Sequence, residues 1–116
     1  AVNGAPRFET TAETSGTLAG VAVQGYATYQ SDLQPDGTLL GECPDSGVIM
    51  TQQGEVATFR ANASGRFTES GGADFRGAAY FRTSGSQLAK LNGVCVIWHW
   101  DVDADGNAKW DLWEWL

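Results

Sequence analysis

Residues 94–116, VCVIWHWDVDADGNAKWDLWEWL, decide the fold. Two alternating runs flank Asp103-Ala104-Asp105-Gly106-Asn107, a stretch made of the residues that close tight turns, so the segment reads as a hairpin of Val94–Val102 and Ala108–Leu116. Two registers compete, one residue apart, and that slip exchanges the faces of every side chain. A two-residue Asp-Gly turn would set Asp101 against Trp110, Trp100 against Asp111 and Val102 against Lys109, mixing charge with apolar surface throughout. A longer turn, with Gly106 left-handed in a bulge closing on Asp103 and Asn107, instead pairs Asp101 with Lys109, His99 with Asp111, Trp100 with Trp110 and Trp98 with Leu112. The bulged register is the chemically consistent one. It gives one face of Val96, Trp98, Trp100, Val102, Trp110, Leu112 and Leu116, with Glu114 its only charge. The other face carries Ile97, His99, Asp101, Lys109, Asp111, Trp113 and Trp115.

Working outward, the same grammar recurs. Val21–Gln30, Thr38–Cys43, Val48–Thr51, Val56–Ala61, Arg66–Glu69 and Phe75–Thr83 read as strands, with turns such as Gln34-Pro35-Asp36-Gly37 and Gln52-Gln53-Gly54 between them. Ser84–Asn92 alone has helix formers in helical spacing, Leu88 and Leu91, and predicts at most one short helical turn before Gly93. Residues 1–16 have no period and read as an irregular tail of a single domain spanning 1–116. About eight short strands with almost no helix define an all-β, antiparallel, up-and-down β-barrel.

Composition agrees. The 116 residues are 42% hydrophobic and 18% charged, a balance that folds around one core. A net charge of -7 repels phosphate backbones and anionic membrane surfaces, so neither nucleic acid nor membrane is an expected partner. No apolar run approaches the length of a membrane span, and the first residues carry no basic-then-apolar leader. Cys43 and Cys95 lack the spacing of a redox or zinc pair, which predicts reduced thiols and a cytoplasmic compartment.

Candidate chemistry is spread thinly. Asp101, Asp103 and Asp105 resemble the first half of a calcium loop, but its twelfth position would be Leu112 instead of a bidentate Glu, so no metal and no cofactor is expected. His99 opposite Asp111 has the makings of an oriented base, although no nucleophile motif accompanies it. In Phe75–Thr83 the alternation favours Phe75 and Phe81 inside. The opposite polarity would turn Arg76 and Tyr80 into the lumen, with Tyr26, Glu42 and Arg60 as companions around an anionic or carbonyl ligand. Glu114, on the face of Trp98 and Trp100, needs a partner, a raised pKa or a place at the rim. Ile97, Trp113 and Trp115 make an apolar outer patch that suggests an interface between two copies.

Gly47-Val48-Ile49-Met50-Thr51, Gly54-Glu55, Arg76-Gly77-Ala78, Leu91-Asn92-Gly93 and the ending Asp103–Trp115 resemble an uncharacterised family of small bacterial β-barrel proteins. The architecture further resembles allene-oxide-cyclase-like and calycin barrels. These resemblances imply a hydrophobic lumen able to take a small ligand and carry over no catalytic residue. The leading expectation is therefore a homodimeric barrel that binds an apolar or amphipathic small molecule against Trp98 and Trp100. An isomerase or cyclase working in the same lumen, and a structural protein using the Trp113 and Trp115 face, are the alternatives.

Overall fold

The structure, a computed structural model, describes residues 6–115. Seven antiparallel strands follow one another around a single sheet: β1 (Arg7–Leu18), β2 (Val21–Leu33), β3 (Thr38–Thr51), β4 (Val56–Phe67), β5 (Ala73–Thr83), β6 (Val96–Val102) and β7 (Ala108–Glu114). Every strand pairs with its neighbour in sequence, which makes an up-and-down meander. No helix among the described residues is long and apolar enough to cross a membrane.

Four of the six connections are the same device. At Gln34–Thr38, Thr51–Glu55, Thr68–Gly72 and Asp103–Asn107, the first residue's N–H donates to the carbonyl of the fifth. In each, the fourth residue is a glycine that donates back to the first carbonyl and holds a φ between 86° and 91°. This is a type I turn followed by a left-handed bulge residue, the three-residue hairpin loop whose geometry glycine meets without strain. The β1–β2 connection is tighter, a two-residue turn at Ala19 and Gly20, both at positive φ.

The hairpin register of β6 and β7 is the bulged one: His99 lies opposite Asp111, Trp100 opposite Trp110 and Trp98 opposite Leu112. Leu116 falls outside the described residues, as do the first five residues of the expected tail. Residues 7–18 are not irregular but form β1, paired with β2 along its whole length. Its Thr, Glu and Ala content hid it, because the face turned to solvent is polar and the inward face is small. Thr38–Cys43 and Val48–Thr51 join into one long strand, as do Val56–Ala61 and the start of Arg66–Glu69. The apparent break in β3 is a bulge between Cys43 and Gly47, where Pro44 has no N–H to give a ladder. Ser46 donates from Oγ to the Thr28 carbonyl there at 2.6 Å, tying the bulge to β2.

The predicted helical turn exists as a 3-10 turn at Ala89–Leu91. It buries Leu88 and Leu91 in the main core. Glu55 accepts the N–H groups of Ser86 and Gln87, and the Asn92 side chain pairs with both backbone groups of Thr83, so this connector is pinned to the β3–β4 loop and to the end of β5.

Curvature brings distant strands face to face. Tyr29 of β2 meets Phe75 of β5 and Trp100 of β6 edge-on, at 6.2 and 6.3 Å between ring centroids. Phe59 of β4 meets Trp110 of β7 at 5.3 Å. The sheet is thus rolled into a small barrel whose interior is aromatic. Close backbone approach is part of the roll: a side chain at Gly77 would strike the Asn62 carbonyl of the adjoining strand. Among the described residues no ladder joins β1 to β7, and the two face each other across an open seam.

Candidate functional site

Alternation along each strand selects the lumen residues. Ala12 and Thr14 of β1, Ala27 and Tyr29 of β2, Ile49 of β3 and Phe59 of β4 point inward, opposed by Phe75, Trp98, Trp100 and Trp110 from β5 to β7. They surround a cavity of about 70 Å³ whose wall is almost wholly apolar. Trp110 is the hub, in ring contact with Phe59, Phe81, Trp98 and Trp100.

The cavity lies beside an outward-opening cleft. A cleft of about 910 Å³ runs along the seam between Thr10–Leu18 of β1 and Gly106–Leu112 around β7. Ala12, Thr14, Tyr29, Ile49, Trp100 and Trp110 border both spaces. A molecule entering between the two end strands would therefore meet the aromatic wall directly.

Two tryptophans of that wall differ in how their indole N–H is satisfied. Trp100 Nε1 donates to the Tyr29 hydroxyl at 3.3 Å. Trp98 is 9% exposed, and its Nε1 is buried with no hydrogen-bond partner among the described residues. An unsatisfied buried donor costs about 1–3 kcal/mol. Cys43 also lines the cavity, with Sγ 3.4 Å from Ser46 Oγ, and neither it nor Cys95 forms a disulfide.

Of the residues singled out from sequence, Trp98 and Trp100 are in the cavity wall. Arg76 and Tyr80 are on the outer surface, because Phe75, Ala79 and Phe81 take the buried side of β5. The polarity that would have brought that arginine and tyrosine to the lumen is not the one adopted. Tyr26 and Glu42 border the cavity, but they alternate with inward-facing Gly25, Ala27, Gly41 and Cys43, which turns their side chains outward. Glu114 shares the inward parity of Trp98 yet is exposed at the end of β7, so it sits at the rim. His99 keeps Asp111 as its ladder neighbour, but its Nε2 bonds Asp74 Oδ1 at 2.8 Å on the outer face. The groups suited to acid–base work are thus dispersed over the exterior. Missed by sequence reading were Tyr29 and Phe59, whereas Trp110 was expected on the face of Trp98 and Trp100. Each lies on the inward parity of its strand, but their meeting across the lumen depends on the roll of the sheet.

The outer patch is present as read. Ile97, Trp113 and Trp115 are 43%, 54% and 70% exposed, with Ile97 directly opposite Trp113. In the Asp-rich turn, the Asp103 carboxylate accepts the N–H groups of Asp105 and Asn107. Those bonds, that from Asn107 foremost, hold its carboxyl below the ordinary value. No group of three acidic, histidine or cysteine side chains converges as a metal site among the described residues.

No family model matches the chain, and comparisons with curated proteins and with solved structures returned no match.

Proposed function

We propose that the protein binds a small, largely apolar molecule inside the barrel, with the seam between β1 and β7 as its entrance. The observation that carries this reading is an aromatic-walled internal cavity that shares six of its lining residues with a much larger open cleft. Ligand sites of this kind are concave, mostly apolar and equipped with few polar groups. The walls are built on strands, so the site is held without a moving loop. Tryptophan fluorescence of the full chain titrated with a panel of lipids and polyketides tests it, with a saturable change expected. Gly41 supplies the control: it borders the cavity, and a Cβ there would make ordinary contacts at 3.5 Å with Phe75. Gly41→Ala adds that methyl at the cavity and should weaken the response while the barrel stays folded. No response in the parent chain, or one indifferent to Gly41→Ala, would remove this function.

A second reading concerns assembly. The exposure of Ile97, Trp113 and Trp115 favours pairing of two copies through the outer face of β6 and β7. Sedimentation equilibrium of the parent and of Trp113→Lys checks it, with a dimer expected only for the parent.

A further inference from the structure

We propose that the seam between β1 and β7 is a docking site for an extended, cationic segment of another polypeptide, which enters as an eighth strand and hydrogen-bonds both edges at once. The inference goes beyond the ligand reading of the lumen and does not rest on it. Direction is the first support. Six successive antiparallel ladders leave β1 and β7 running the same way, so a ladder made directly between them would be parallel. A single strand laid between them is antiparallel to both and completes an eight-stranded, wholly antiparallel barrel.

The second support is where the backbone groups point. The Leu33 N–H donates to the Pro6 carbonyl at 3.0 Å, and in an antiparallel ladder bonded and non-bonded residues alternate. The even-numbered residues of β1 therefore bond β2, whereas Glu9, Thr11, Glu13, Ser15 and Thr17 turn their N–H and C=O groups towards the seam. At the other edge the Trp115 N–H donates to the Cys95 carbonyl at 2.9 Å, so the odd-numbered residues bond β6 and Ala108, Trp110 and Leu112 face the seam. No ladder or loop bond among the described residues takes up these groups. Two unpaired edges facing each other across one cleft form a template for strand addition.

Side chains set the chemistry of the occupant. Ala12, Thr14 and Gly16 border the cleft from β1 and are too small to screen the backbone, while Trp100 and Trp110 line it on the lumen side. Inward positions of the added strand thus call for apolar side chains. On the outer face Glu9 and Glu13 of β1 and Asp111 of β7 flank the seam. The nearby cations are engaged: Arg7 bonds Asp32, and Lys109 Nζ lies 3.8 Å from Asp111. With a chain charge of -7 behind them, these carboxylates favour Lys or Arg at the outward positions. The occupant is therefore a segment in which apolar and basic residues alternate.

The probe is an end-capped peptide of alternating lysine and valine, as long as the Thr10–Leu18 border of the cleft. Calorimetry on the full chain measures its binding, and amide exchange followed by NMR locates it. One-to-one binding is expected, with the amides of Thr11, Glu13, Ser15 and Trp110 gaining protection while those of Ala12 and Thr14, already bonded to β2, change little. N-methylating the valine amides blocks one edge and N-methylating the lysine amides the other. Either should weaken binding by about three- to tenfold for each bond removed. A peptide with glutamate in place of lysine should bind about tenfold more weakly, or not at all. Ser15→Pro deletes one seam-facing N–H and no bond to β2, so it should cost about three- to tenfold in affinity with the barrel still folded. Absence of binding, sensitivity to methylation of one set alone, or equal binding by the glutamate peptide overturns the proposal. So does protection of the seam amides in the free chain: at every concentration it means that the two edges close on each other, and at high concentration only that a second copy fills the seam. If Ser15→Pro does not fold, the methylated peptides decide the matter on the parent chain. The lumen reading is tested separately by the tryptophan titration, so it stands or falls apart from these results.

Discussion

The two strands that border the seam, β1 and β7, solve the same problem with opposite chemistry. β7 sends Trp110 into the lumen, where it touches four other rings. β1 sends in Thr10, Ala12, Thr14 and Gly16, with Leu18 at its end as its one core residue, and most of the strand is exposed. It is held by its ladder to β2 and by a two-pronged bond from Arg7 to Asp32, at 2.8 and 3.1 Å. Both edges are paired to a neighbour, but β7 adds the ring contacts of a half-buried tryptophan where β1 adds mostly small side chains. The difference leaves the cleft open: small side chains on β1 do not fill the space that a second row of aromatics would close.

The largest test is Trp110→Ala. Losing a tryptophan from a packed cluster costs about 3–5 kcal/mol, and urea denaturation should show it. If the midpoint hardly moves, burial is not what holds β7. Gly47→Ala comes next. A methyl there runs into the ring of Phe59, which packs on Trp110, so crowding should cost about 1–3 kcal/mol and alter the tryptophan emission. Gly106→Ala touches only the β6–β7 turn, where φ is 86°, and the left-handed conformation should cost about 1–2 kcal/mol.

On the β1 side the effects are smaller and more local. The hydrogen bond from Arg7 is the foremost cause that lowers the Asp32 carboxyl from its ordinary value of 3.8. A carboxyl depressed in the folded state stabilises fully above its unfolded pKa, and loses that contribution as pH falls through the lower folded value. Acidification below about pH 4 should thus lower the amide-exchange protection factors, taken against intrinsic rates at the same pH, at the Arg7 end of β1 before those of β6. Thr11→Ala removes an exposed bond to Thr28 at 2.9 Å and should change stability by less than about 0.5 kcal/mol. A β1 substitution as costly as Trp110→Ala would erase the distinction between the two edges.

The same contrast explains what sequence could disclose. The β6–β7 hairpin was legible to the residue because its two registers differed in whether charge met tryptophan. β1 was invisible because an exposed edge strand of Thr and Glu lacks the apolar alternation that marks a half-buried one. The β3 bulge read as two strands because Pro44 interrupts the pattern, and only the ladder on both sides shows continuity. For the site, alternation assigned Trp98 and Trp100 to the interior. The same register placed Trp110 beside them, but it could not say that Tyr29 and Phe59 would meet these rings, since that depends on how tightly the sheet rolls. Nor could it show that Trp98 would lack a partner, which is a property of the assembled wall.

The nearest-neighbour order of the strands has a kinetic consequence. Each ladder can zip up from its own connection, and four of the six connections close through the same glycine-tipped loop. Most of the pairing therefore costs little chain entropy, as in folds of low contact order. The exception is the bond between Tyr29 and Trp100, which joins residues 71 apart. Folding should accordingly divide into rapid growth of a flexible ribbon and a slower rolling step in which the aromatic rings find one another. Substitutions in the lumen would change the second step, whereas substitutions in the loops would change the first.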